Sequence, residues 1–123
     1  MSNTTTNELS SRIVKFIGRV IKLVDAITVS FAGKKIADQL VRSSTSVGAN
    51  YEEAHGTGSR ADFTNKLQIA LKEARETRYW LCVVLESGLA PEFSLETLVD
   101  EANQLCAILG KSVATARGTA KPS

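Results

Sequence analysis

Arg12, Lys15, Arg19 and Lys22 recur at i, i+3, i+7 and i+10 near the amino end of the chain. On a helix turning about 100° per residue, that spacing lines the cations along one face. No acid sits among them; Glu8 and Asp25 only flank the row. A row of cations suits a phosphate backbone, whose charges also repeat along a line. It equally suits contact with water, the ordinary fate of a charged helix face. No aromatic side chain shares this face, so base stacking is not part of the expectation. Lys72, Arg75 and Tyr79 form a second, weaker basic candidate further along. Binding of either kind would read the backbone and shape of an RNA rather than its bases.

Residues able to do bond chemistry are sparse. The one histidine, His55, lies beside glycines, where it caps a helix or meets solvent. Cys82 and Cys106 match no metal or redox spacing and are expected as reduced thiols. Glu52-Glu53 and the Glu73/Glu76 pair are carboxylates without a histidine or cysteine to complete a metal set. The Glu-x-x-His repeat of carboxylate bundles is missing. The glycines of GTGSR follow no strand, so a phosphate loop is not expected. The reading is a protein that is not an enzyme and holds no metal or cofactor.

Four amphipathic stretches must position these residues. The first runs from about Asn7, a candidate N-cap, to Ile27, with Leu9, Ile13, Phe16, Ile17, Val20, Val24 and Ile27 in one stripe. The second runs from Phe31 to His55 behind Ser30; its seam is Ile36, Leu40, Ser44, Val47 and Tyr51, with Ala37, Val41 and Gly48 beside it. Gly56 and Gly58 are expected to end it through the left-handed conformation glycine tolerates. The third runs from Arg60 to Ser87, opened by a capping box of Ser59 with Asp62 and closed by Gly88. Its seam is Phe63, Leu67, Ala70, Ala74, Thr77, Leu81 and Val84. The fourth runs from Leu95 to Ala116, with Ser94 as N-cap and Phe93 stapled on Leu98. Residues 117–123 read as a disordered tail. Short links between long helices predict an all-α fold, an antiparallel up-down four-helix bundle in a single domain over residues 1–123.

The second and third stretches carry a further polar set. Arg42, Ser46 and Glu53 point away from the seam, with Asn50 on the flank. Glu73 and Glu76 interleave with Ile69, Trp80 and Val83, which stand off the seam of the third stretch. Small residues and an off-seam tryptophan suggest contact rather than bare solvent. The expectation is a subunit interface or a structural polar network, with Arg42 paired to Glu73 or Glu76. The register favours pairing within one chain, while pairing across chains stays open.

At 123 residues and a net charge of +2, with 43% apolar and 23% charged residues, the chain has the make-up of an ordinary globular domain. That charge is too small to imply nucleic acid without clustering. No apolar run is long enough to span a membrane, and the start, MSNTTTNELSSR, does not resemble a signal peptide. A cytoplasmic location is therefore expected.

Leu40-Val41-Arg42-Ser43-Ser44, Ser46-Val47-Gly48-Ala49-Asn50 and Glu53-Ala54, followed by Phe63, Lys66-Leu67, Ala70, Glu73-Ala74, Glu76-Thr77 and Trp80-Leu81, resemble the family of 23S rRNA intervening-sequence proteins. The resemblance covers roughly residues 8–116 and is strongest over 36–81. It implies a left-handed antiparallel bundle and a ring-like homo-oligomer, with the pentamer as the expected form. The family takes its name from genes inside insertions of the large-subunit rRNA gene. A distant branch serves as the accessory subunit of diversity-generating retroelements, where a basic pentamer binds a reverse transcriptase and nucleic acid. The partners implied are further copies of the chain, RNA and a nucleic-acid-processing protein. An adaptor with no nucleic-acid role is the other reading.

Overall fold

The structure, a computed structural model, describes residues 3–118, with side chains from Thr6 onward. It contains four helices: α1 (Asn3–Ile27), α2 (Phe31–His55), α3 (Arg60–Ser87) and α4 (Leu95–Ala116). The last three match the ranges read from periodicity. The first starts four residues earlier than expected, so Asn7 lies inside a helix rather than capping it. Its polar opening, TTTN, offered no apolar period to mark that extra turn.

The helix ends show where local chemistry acts. Ser30 Oγ accepts from the Gly33 amide at 2.9 Å, and Ser59 Oγ from the Asp62 amide at 3.1 Å, as N-caps do. Ser94 precedes α4 but makes no such side-chain bond. Its carbonyl instead accepts from Thr97 Oγ1 at 2.8 Å. Gly88 closes α3 in the left-handed conformation, at φ 70°. Gly56 does not: its φ of −102° is right-handed, and its amide donates to the Glu53 carbonyl at 3.0 Å. Part of the expected tail is also ordered. The Arg117 amide donates to Val113 at 2.9 Å, and Gly118 turns left-handed at φ 74°. The remainder of that tail lies outside the described residues.

Every neighbouring pair of helices is antiparallel, which follows from contacts whose residue numbers run in opposite directions. Between α2 and α3, Arg42 meets Glu76, Ser43 meets Thr77 and Glu53 meets Lys66. Between α1 and α2, Ile17 packs over Gly48 while Ser10 bonds Glu52. Arg78 bonds Asn103 between α3 and α4, and Gln68 faces Arg117. Arg12 meets Glu101, and Arg19 meets Thr97, between α1 and α4. The result is a bundle in which each helix lies beside its sequence neighbours and α1 closes against α4.

The core runs the length of the bundle through Val20, Leu23, Leu40, Val47, Leu81, Val84 and Leu109. The α2–α3 seam is built from small residues, Ala37, Ser43, Ser44 and Ala54 against Ala70, Ala74 and Thr77, all buried. Small side chains let the two backbones approach; the alanines among them also favour the helix, and close packing offsets the weaker helix propensity of Ser43, Ser44 and Thr77. Ile36 is only partly buried and Val41 is exposed, so the α2 seam is shifted towards Ser43 relative to the sequence reading. No helix among the described residues is long and apolar enough to cross a membrane.

Candidate nucleic-acid interface

The α1 cations do not form a free row. Arg12 donates through Nε and Nη2 to both carboxylate oxygens of Glu101, at 2.6 and 2.9 Å, and through Nη2 to Gln104 at 2.6 Å. This hydrogen-bonded pairing holds the Glu101 carboxyl below its ordinary pKa against the opposing cost of burial. Arg19 donates to Thr97 Oγ1 at 2.9 Å. Lys15 and Lys22 are exposed, on the outward side of the same face of α1. The row is thus part structural clamp and part open charge. The sequence showed the shared face, but not that α4 would bring a carboxylate to it.

The second basic candidate is better placed. Lys72 and Arg75 line a groove between α3 and α4 with Gln68, Leu71, Val113 and Arg117. No acidic side chain lines it. Lys72 and Arg75 are exposed. Arg117 is held in place by Gln68: with the amide oxygen turned towards it, Nε donates at 2.6 Å and Nη2 also donates. Arg78 lies one turn along α3 from Arg75 and donates to Asn103 at 3.4 Å. Arg117 and Arg78 were not candidates in the sequence. Arg117 sat in the presumed tail, and the bond from Arg78 to Asn103 depends on the α3–α4 register, although Arg78 itself shares a face of α3 with Arg75 by simple helical spacing. Tyr79 points outward, 59% exposed, with its ring edge-on to Trp80 at 5.0 Å. Both basic regions flank α4.

The polar set on α2 and α3 closes on itself within the chain. Arg42 donates to Glu73 at 3.1 Å and also to Glu76. The Arg42 hydrogen bond is the chief reason the Glu76 carboxyl titrates below its ordinary value. Glu73 is buried at 8% exposure, so Arg42 supplies the charge that a buried carboxylate needs. Trp80 Nε1 donates to Glu76 at 3.3 Å, and the ring packs on the core half-buried. Asn50 donates to the Ser46 carbonyl and hydroxyl on its own helix, at 2.9 and 3.0 Å. Glu53 pairs with Lys66 at 2.8 Å. Each of these contacts lies within one chain, Arg42 with Glu73 and Glu76 included.

Among the described residues, no group of three or more His, Cys, Asp or Glu side chains could hold a metal ion. Cys82 is exposed and Cys106 buried, and both are free thiols.

The helical layout and the motif from Leu40 to Leu81 find their match in a family model for the 23S rRNA-intervening sequence protein, which covers residues 6–111. The chain belongs to that family. It is similar to a solved structure from Bacteroides thetaiotaomicron, described as a protein with unknown function from the S23 ribosomal protein family. The two are 32% identical over 88% of this chain and 96% of that one, with a TM-score of 0.79. No curated protein matches the chain. The family match includes Lys72, Arg75 and the whole Arg42–Trp80 set, and stops short of Arg117.

Proposed function

We propose that this protein is a non-enzymatic, cytoplasmic homo-oligomer, a pentamer, that holds RNA by its phosphate backbone along the α4 side of each subunit. The observation that carries this reading is the α3–α4 groove, where Lys72, Arg75 and Arg117 meet with no acid among the lining residues. Phosphate binding needs positive charge in excess of nearby carboxylates; Lys72 also acts on Glu76, one turn along α3, but no acid lines the groove itself. Lys15 and Lys22 extend the contact on the other flank of α4, while Arg12 serves the fold. A ring of copies repeats the groove, so weak contacts add through avidity.

Assembly is supported by the opposite shoulder of α1. Val14 is 63% exposed and Ile21 43%, and the antiparallel register brings the exposed Val41 of α2 level with Ile21. An apolar edge of this kind calls for cover. It equally favours a second reading, an adaptor whose partner is a protein.

Binding of a labelled structured RNA at two salt concentrations tests the proposal, with Lys72→Glu/Arg75→Glu and Lys15→Glu/Lys22→Glu variants alongside. Salt-sensitive binding lost in the first variant, with unchanged sedimentation, is expected. Equal binding by that variant excludes the groove, and absence of binding at low salt leaves the adaptor reading. A monomer at micromolar concentration removes the assembly.

A further inference from the structure

The end of the bundle where α2 turns into α3 holds an apolar cavity of about 420 Å³, a volume typical of small-molecule sites. All four helices contribute to it. Leu9, Phe63, Leu67 and Ile108 supply its apolar walls, and the rings of Tyr51, His55 and Phe63 stack edge-on along one side, with centroids 4.6 and 5.5 Å apart. Two cations, Arg60 and Lys111, line the cavity from exposed positions, and no acidic residue is among its lining.

The sequence leaves this space open by its choice of residues. The apolar stripe of α4 proceeds through Leu98, Leu105 and Leu109, and the same spacing then reaches Ser112 and Ala116, both on the cavity. Leucine at those positions would carry the stripe into the space. On α1, Thr6 stands where the stripe through Leu9 and Ile13 would place another apolar residue. Small residues at the ends of two stripes, facing one another, make an opening that the core does not fill.

The geometry points to a binding site for an amphipathic monoanion, with a compact apolar body between Leu9, Phe63, Leu67 and Ile108 and its head group at Arg60 and Lys111. Apolar walls supply affinity without direction, and the two cations select the sign of the head group. Arginine offers a donor fork that fits a carboxylate. Nothing in this site overlaps the α3–α4 groove, so the two proposals stand or fall separately.

The test is titration of the full chain with decanoate, followed by calorimetry, with decanol and acetate as comparisons and no RNA present. Saturable binding of decanoate is expected, with decanol weaker and acetate silent. Arg60→Glu/Lys111→Glu should weaken decanoate on the order of tenfold while leaving decanol unchanged. Both changes are on exposed side chains, and an acid in the first turn of α3 favours the helix. Ser112→Leu/Ala116→Leu should abolish decanoate binding and raise the melting temperature by filling the space. No saturable decanoate binding overturns the proposal. So does decanol binding as tightly as decanoate, or binding that survives the filled variant.

Discussion

The hydroxyls of Thr77 on α3 and Ser43 on α2 lie 2.8 Å apart in the closest-packed seam of the bundle. Thr77 has one hydroxyl proton, and its Oγ1 also lies 2.8 Å from the Glu73 carbonyl. Donation to that carbonyl leaves Oγ1 to accept from Ser43, so both buried hydroxyls are satisfied. Ser44, the next residue, has a buried Oγ with no partner. Thr77→Val should therefore lower stability by about 1–3 kcal/mol, because Ser43 loses its acceptor. Ser44→Ala should be neutral or stabilising. Urea unfolding of the two variants checks the contrast; equal losses would show that packing, and not hydrogen bonding, governs the seam.

Gly33 and Gly110 are both helical glycines with opposite roles. A Cβ at Gly33 would lie 1.7 Å from the backbone oxygen of Ile27, so the tight α1–α2 turn requires glycine there. A Cβ at Gly110 would meet nothing within 4 Å. Gly33→Ala should force the turn apart and cost well over 1 kcal/mol, beyond the propensity gain of about that size. Gly110→Ala should stabilise by up to about 1 kcal/mol. Melting temperatures that move the same way in both would contradict this placement.

Acid should loosen the polar closures before it unfolds the core. The folded Glu76 and Glu101 titrate below their ordinary value of 4.5, chiefly through hydrogen bonds from Arg42 and Arg12. Such groups stabilise the fold above that value, and the contribution is lost as pH falls through the lower folded pKa. Stability should thus decline below about pH 4.5, and less steeply in Arg12→Gln/Glu101→Gln. Identical acid profiles for the variant and the parent chain would remove the α1–α4 pair from the account.

The two thiols should differ sharply in reactivity. Cys82 is exposed, while Cys106 is buried and burial raises its pKa, outweighing the lowering by Arg78 and Arg75. One fast and one slow equivalent should appear with a thiol reagent at mildly alkaline pH, the slow one released by denaturant. Two equally fast thiols would mean that α4 opens readily.

The fold was legible because its signals are local. Apolar spacing and the Ser30 and Ser59 caps each lie within a few residues, and so fixed three of the helices. The Arg42–Glu76 pairing was also within reach, since a short α2–α3 turn determines which residues stand level. What stayed hidden depends on helices that are not sequence neighbours, on a helix end read as tail, or on the ends of stripes. Glu101 neutralising Arg12 requires knowing how α4 lies on α1. The join of Arg75 to Arg117 requires the α3–α4 register together with an ordered end of α4. The cavity is a pattern of missing bulk, visible only once four helix ends are assembled.

The seam between α1 and α4 is the sparsest of the bundle, and polar side chains do much of its bridging. Stability is therefore unevenly spread along the chain. α2 and α3 share a buried, small-residue junction and form the unit that resists opening, while α1 rests on α2 along one side and is latched to α4 by groups that water can replace. Amides of α1 should exchange with deuterium sooner than those of α3, through excursions that never unfold the whole molecule. A helix released in this way exposes Val20 and Leu23, and at high concentration could be received by the vacated place in another copy. Domain exchange through α1 is thus the misassembly to which this architecture is most open.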